Sequence, residues 1–187
     1  MTLWIILAVA AVVVVYAIVV FNSLVRMRQM ANEGWSGIDV QLKRRSDLVP
    51  NLVESVKGYA AHEREVLQQV TELRGAARAL PSDAVAARAQ AEGALSAALG
   101  RLFAVAENYP DLKANANFLQ LQQQLSDLEN EMQMARRYYN GTVRNLNVLV
   151  QSFPSSLIAG LFGFTQRDYF EIADAGERAV PQVDLKR

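Results

Sequence analysis

The only histidine in the chain, His62, is followed by Glu63, and this pair is the first place to look for chemistry. A helical zinc site needs a second histidine four residues further on, so that two imidazoles share one face. Val66 occupies that position, and the chain contains no cysteine that could complete a site. We therefore predict no metal site at His62 and interpret it as a solvated histidine at the edge of a helical bundle.

Carboxylates are scattered along the chain, and some, such as Asp127 and Glu131, have the spacing of one helical face. A di-metal bundle would also need Glu-x-x-His pairs, which are missing, and there is no nucleophile elbow, phosphate loop or dinucleotide fingerprint. The sequence therefore predicts a non-enzymatic protein without catalytic, cofactor-binding or metal-binding residues and without a cofactor. A hydrolase with an unrecognised site, carried by a polar group such as Asp39, Glu54 or Asn117, remains an alternative. The carboxylates considered are Asp39, Asp47, Glu54, Glu63, Glu92, Glu107, Asp111, Asp127, Glu129 and Glu131.

Composition limits the classes of protein to which the chain can belong. Its 187 residues carry 19 Lys and Arg against 19 Asp and Glu, whereas a nucleic-acid binder normally shows a basic excess. The absence of cysteine excludes a disulfide framework and thiolate metal sites. Only five prolines and ten glycines interrupt the chain, which favours a small number of long helices.

The segment Leu3–Phe21 is 19 residues long and carries no charge, which is about the length of a helix that spans a bilayer. A cleaved signal peptide would have a basic residue before the apolar run, and here none precedes it. A buried core helix would usually show some polar interruption. We predict an uncleaved single-pass anchor. Because Arg26 and Arg28 follow the run, the positive-inside tendency places the N-terminus outside and the rest of the chain in the cytoplasm.

Apolar residues recur at spacings of three and four from Trp35 to Leu80, which predicts one long amphipathic helix. Pro50 lies inside this pattern, and the apolar phase is the same on both sides of it. We therefore expect a kink near Pro50, although a separate helix beginning at Pro50 remains possible. Arg45 falls on the apolar face and is expected to meet a carboxylate or polar group of another helix; the rest of Lys43-Arg44-Arg45 is interpreted as a solvated face.

Two further helices are predicted, over residues 84–108 and from about Phe118 to Leu149, and Asn115 or Asn117 can cap the second. The fold class is all-α: an N-terminal transmembrane helix, then an up-and-down bundle of three long helices, with the first counted as two if Pro50 breaks it, and a short C-terminal helical segment. The predicted division is an anchor over residues 1–23, a bundle over 24–170 and an extended tail over 171–187.

Two features of the C-terminal half allow more than one interpretation. The apolar segment Leu157–Phe164 is too short to span a bilayer, and it could cap the bundle, dip into lipid or meet another subunit. Asn140, Asn145 and Asn147 could be buried polar groups that fix the register of the helices, or they could lie at the surface.

Several blocks of the sequence resemble the LemA family of bacterial membrane proteins, and they occur in the family's order. The resemblance implies a membrane helix with a short external N-terminus, a helical-bundle domain and no established catalytic residue. Some members of the family that the chain resembles take part in building magnetosome membranes. Others sit beside membrane metallopeptidases or secreted repair-type domains. The blocks are NEGWSGIDVQLKRRSDLVPNLVESVKGYAAHE, AENYPDLKANANFLQLQ, ARRYYNGTVRNLN, FPSSLIAGLFGF and PQVDL.

These observations lead to two hypotheses of function. The first is a non-enzymatic scaffold that is anchored in the bacterial cytoplasmic (inner) membrane, oligomerises there and organises membrane or partner proteins. The second is an accessory subunit of a membrane peptidase or envelope-stress system. The expected partners are the lipid bilayer and further copies of the chain, with a membrane protein such as a metallopeptidase as a further candidate; no nucleic acid is expected.

Overall fold

A computed structural model describes residues 1–60 and 62–171 of the chain, and over these residues the fold is all-α. No strand occurs in these two ranges, so the predicted fold class is confirmed. The helices are α1 Thr2–Lys57, α2 Arg64–Ala79, α3 Val85–Ala106, α4 Pro110–Lys113, α5 Ala116–Gln151 and α6 Ser155–Leu161.

The first bundle helix ends earlier than the apolar pattern predicts. α1 ends at Lys57, and α2 begins at Arg64, so the expectation of one helix as far as Leu80 is wrong. The turn keeps the apolar phase, because Val56 and Ala60 are both buried in one core cluster with Leu67 of α2. Periodicity cannot separate two helices from one when the connection between them preserves the register in this way.

α1 continues through Pro50, so the alternative of a separate helix that begins at this residue is wrong. Proline has no amide hydrogen and leaves the carbonyl four residues earlier, that of Ser46, without its helical donor. The Nε of Arg74 in α2 donates to the Ser46 oxygen at 2.6 Å. A side chain from the neighbouring helix therefore replaces the missing main-chain bond; the kink itself stays a prediction.

The connection between α3 and α5 contains a short helix that the sequence analysis did not anticipate. α4 begins at Pro110, whose missing amide hydrogen costs nothing in a first helical turn. Asn115 then caps α5, since its side-chain oxygen accepts the amides of Asn117 at 2.9 Å and of Phe118 at 3.1 Å. Of the two predicted caps, Asn115 is therefore the one that the fold uses.

The chain divides into two compact units. Unit 1 consists of Met1–Lys43 and Asp127–Tyr169, and unit 2 contains Arg44–Ser126 together with Phe170. Within unit 2, parts of α1, α2, α3, α4 and α5 share one apolar core cluster. Each unit combines separate segments of the chain, whereas the predicted anchor, bundle and tail are consecutive segments. The predicted domain boundaries therefore stay a prediction. Of the predicted tail, all but residue 171 lies outside the described residues.

In unit 1, α1 and α5 pack against each other in opposite directions. The tilted rings of Trp35 and Tyr139 are in contact, with 5.5 Å between their centroids, and Leu24 shares a core cluster with Leu146. The helices approach closely at Gly34, where an added Cβ would lie 3.1 Å from the Cα of Tyr139. The absence of a Cβ favours this close approach, because an alanine there would require the α5 backbone and the Tyr138 ring to shift slightly.

Candidate membrane interface

The first part of α1 exposes apolar side chains on all sides. Over Leu3–Phe21 the exposed fractions include 65% for Leu3, 68% for Val12 and 61% for Val19. Among the described residues, α1 is the one helix long and apolar enough to cross a membrane. A buried core helix would have neighbours on most sides, so the apolar surface of this segment fits lipid rather than a protein interior.

The end of this segment packs against the C-terminal part of unit 1. Val20 and Leu24 of α1 are buried in a cluster with Leu146 of α5 and Ala159 of α6. Phe21, the last residue of the apolar run, lies against two more aromatic rings. The distances between ring centroids are 4.7 Å to Phe162 and 5.9 Å to Phe164. The span is therefore continuous with a packed structure on the side where α6 lies.

Positive charge begins directly after this contact. Arg26 and Arg28 are both exposed, and the guanidinium carbon of Arg28 lies 4.9 Å from the centroid of the Phe164 ring, within the range of a cation–π interaction. Arginines next to a span place their charge among lipid headgroups while their stems cover apolar surface. Arginines placed in this way after an apolar run are typical of the end of a candidate membrane span.

The segment after α6 is held along α5 by polar side chains. Asn147, which is buried, donates from Nδ2 to the carbonyl of Arg167 and accepts the amide of Arg167 at Oδ1, both at 2.9 Å. The hydroxyl of Tyr139 donates to the carbonyl of Asp168 at 3.0 Å. Burial is the main cause that raises the pKa of Tyr139 above its ordinary value.

Of the three asparagines left open by the sequence, Asn147 is buried, Asn145 is exposed and Asn140 is half-buried.

The remaining polar candidates belong to unit 2. Arg45 points inward as predicted and lies 3.7 Å from the carboxylate of Glu92 in α3, and both side chains are less than a tenth exposed. His62 is exposed, and its neighbour Glu63 accepts a hydrogen bond from the hydroxyl of Tyr109 at 3.2 Å. Burial, and then the bond to Glu63, raises the pKa of Tyr109. Within residues 1–60 and 62–171, no three histidine, aspartate or glutamate side chains form a group suited to a metal ion.

The sequence analysis missed the two hydrogen bonds between the Asn147 side chain and the main chain of Arg167, which we call the Asn147 clamp. These bonds go to main-chain atoms of Arg167, which no pattern of side-chain types in the sequence reveals. Residues 145–166 carry no charge and are followed by Arg167, just as the apolar run of α1 carries no charge and is followed by Arg26 and Arg28. The fold brings these two stretches together at one end of unit 1.

Comparison with known proteins identifies relatives for most of the chain. The family model described as the LemA family matches residues 34–185. The chain is 26% identical over 189 residues to magnetosome protein MamQ of Magnetospirillum gryphiswaldense, covering 87% of this chain and 70% of that protein. It is 25% identical to magnetosome protein MamQ 2 of Paramagnetospirillum magneticum, with the same coverage. It is also 25% identical over 164 residues to protein LemA of Metamycoplasma hominis, covering 88% of this chain and 72% of that protein.

Proposed function

The chain belongs to the LemA family, and on that premise we propose that it is a non-enzymatic, membrane-anchored scaffold that oligomerises and organises membrane or partner proteins. The proposed location is the bacterial cytoplasmic membrane, with the N-terminus outside and the bundle in the cytoplasm. The observation that carries the proposal is the continuity of α1, which contains both the apolar span and a face of the bundle core. Two relatives are named as magnetosome proteins, which supports the proposal.

The outer face of α5 in unit 1 supports packing between copies. Met134, Tyr138 and Val148 are exposed by 55%, 45% and 54%, and their spacing places them within one stripe of the helix. Gly141 lies on the same stripe, and an added Cβ there would meet no atom within 4 Å. Exposed Asn145 also lies on this stripe, so the surface is mainly apolar with one polar side chain. A small residue at the centre of such a surface lets a second helix approach closely.

The size of the extracted particle tests the proposal. The full-length protein would be extracted with a membrane-solubilising polymer and its mass measured by light scattering or mass photometry. We expect several copies in each particle. A particle that contains a single copy at high protein concentration would overturn the scaffold. A particle with one copy and another protein at fixed stoichiometry would instead favour the accessory-subunit alternative.

Variants with a single cysteine test whether two copies meet along the α5 stripe, because the natural sequence contains no cysteine. Val148→Cys in the α5 stripe is compared with Val40→Cys, the same substitution at a similarly exposed position of α1. Oxidation in native membranes should give a disulfide-linked dimer with Val148→Cys and much less with Val40→Cys. Equal yields from the two variants would contradict the role of the α5 stripe.

The orientation of the chain has its own test. Protease added to intact spheroplasts should leave the bundle undigested, and protease added to lysed spheroplasts should digest it. Digestion of the bundle in intact spheroplasts would reverse the proposed orientation, which rests on the charges of Arg26 and Arg28.

A further inference from the structure

The short helix α6 and its neighbours expose an apolar surface that the bundle leaves uncovered. Phe153, Leu157, Leu161 and Phe162 are exposed by 82%, 64%, 76% and 55%. Phe153, Leu157 and Leu161 are spaced four residues apart, and the two leucines therefore share one face of α6. The opposite side of the helix is packed, since Ala159 is buried in the core cluster of unit 1. One side of α6 thus belongs to the fold, and the other is left uncovered by the residues that the structure describes.

This surface lies at the depth where the span leaves the hydrocarbon. A helix rises 1.5 Å per residue and a hydrocarbon core is about 30 Å thick, so a span beginning at Leu3 reaches its far edge after about twenty residues, near Asn22. Phe21 is adjacent to that edge, and its ring contacts the ring of Phe162 at the end of α6. The level of α6 is therefore the boundary between acyl chains and headgroups.

The charges around α6 agree with that depth. No charged residue occurs in residues 145–166, which contain the end of α5 and all of α6. The nearest charges on either side of this stretch, and the first charges after the span, are all arginines. Arginine at this level reaches the phosphate layer while its stem stays on apolar surface. These arginines are Arg26, Arg28, Arg144 and Arg167.

We propose that α6 is an interfacial membrane helix, whose exposed residues Phe153, Leu157, Leu161 and Phe162 insert among the acyl chains of the leaflet that the span leaves. The occupant of this surface is lipid, because the surface continues that of a helix which is itself surrounded by lipid. The bilayer is therefore already present at α6, and no other partner has to be recruited to cover it. α6 gives unit 1 a second attachment to the membrane, which is independent of any scaffold role.

Probes on single cysteines measure the environment of α6 directly. Leu157→Cys and Leu161→Cys are labelled with an environment-sensitive fluorophore in the full-length protein, reconstituted in phosphatidylcholine–phosphatidylglycerol vesicles. Iodide reports exposure to water, and lipids spin-labelled on the acyl chain report contact with hydrocarbon. The controls are Val40→Cys, at an exposed position of the bundle, and Val12→Cys, at the middle of the span.

We expect severalfold weaker iodide quenching at both α6 positions than at Val40→Cys, together with strong quenching by spin labels near the headgroup. Val12→Cys should respond most to spin labels deep in the acyl chain. Iodide quenching at α6 equal to that at Val40→Cys would overturn the proposal. Protection from both iodide and spin-labelled lipid would also overturn it, since it would show that a second protein copy covers α6. Far-UV circular dichroism verifies that each variant keeps its helices.

Discussion

At the scale of single residues, the buried ion pair of unit 2 joins an arginine of α1 to a glutamate of α3. The charged groups of Arg45 and Glu92 lie 3.7 Å apart, and both side chains are almost fully removed from solvent. Bringing two charges out of water is costly, and their attraction offsets that cost only while both are present. The sequence showed that Arg45 faces inward, because it interrupts an apolar stripe, but any of several carboxylates could have been its partner.

Removing one member of this pair should be much more damaging than removing both. We expect Arg45→Met to lower the free energy of unfolding by about 3–5 kcal/mol, because the buried carboxylate of Glu92 loses the guanidinium that offsets the cost of its burial. The double variant Arg45→Met/Glu92→Leu should recover most of that loss. Chemical denaturation of the detergent-solubilised protein, followed by circular dichroism, measures both. Lys57→Met, which removes an exposed pair with Glu54, is the control and should cost about 0.5 kcal/mol or less.

The clamp at Asn147 gives a second prediction at this scale. Asn147→Ala removes two hydrogen bonds and leaves the amide and carbonyl of Arg167 without these partners. We expect a loss of about 1–3 kcal/mol in stability and faster hydrogen exchange at the Arg167 amide. Asn145→Ala changes an exposed asparagine two positions away on the same helix and should leave exchange unchanged. Equal exchange in the two variants would show that the clamp does not hold this segment.

At the scale of helices, the proline in α1 shows how a local defect is compensated by a neighbouring element. The apolar phase correctly predicted that the helix continues through Pro50, since a chain reversal has no reason to keep the register. It gave no information on the bond from Arg74 to the carbonyl of Ser46, because the two residues belong to different helices. The same limit explains the misplaced end of α1, where the connection to α2 keeps the apolar phase.

The role of Arg74 can be isolated with a double-mutant cycle. Arg74→Met should lower the free energy of unfolding by about 1–3 kcal/mol, because the Ser46 carbonyl loses its donor. In a Pro50→Ala background the restored amide bonds to that carbonyl, so Arg74→Met should cost much less. Urea denaturation of the four proteins gives the coupling energy. Additive effects would mean that Arg74 acts independently of the proline.

Two glycines of α1 provide a matched comparison of helix packing. Gly37 has open space around it, and Gly37→Ala should raise the free energy of unfolding by about 1 kcal/mol through helix propensity. Gly34→Ala gains the same propensity, but its Cβ would press on the backbone of α5 at Tyr139. Such overpacking costs about 1–3 kcal/mol, so the net effect should be destabilising. Thermal unfolding of the two variants checks this, and equal stabilisation by both would contradict the close approach.

At the scale of the whole molecule, the protein is a membrane-associated helical protein of the LemA family. One continuous helix supplies both the apolar span and part of each unit. Of the polar residues that the sequence analysis singled out, His62 is exposed, whereas Glu63 and Glu92 are used in internal contacts. The extended apolar surfaces are the more informative features for function.

Retention of the protein in the membrane should depend on the apolar residues at the centre of the span. Val12→Arg places a charge near the middle of the bilayer, where arginine costs about 2.5–3.5 kcal/mol on insertion scales. We expect a smaller fraction of this variant to remain in membranes after an alkaline carbonate wash. Val40→Arg, at a similarly exposed position of the bundle, should remain in the membrane fraction like the natural protein. Equal retention of both variants would contradict the predicted position of the span.

The sequence by itself determined the apolar segment that is long enough for a span, the helical class, a cap of α5 at Asn115 or Asn117 and the inward direction of Arg45. Each of these depends on residues close together in the chain, where periodicity and capping act. Tertiary structure alone decided that Glu92 pairs with Arg45, that Asn147 holds Arg167, and that α6 packs one side and exposes the other at the end of the span. A helical repeat fixes which side of a helix is apolar, whereas the neighbour that covers that side depends on how distant segments pack.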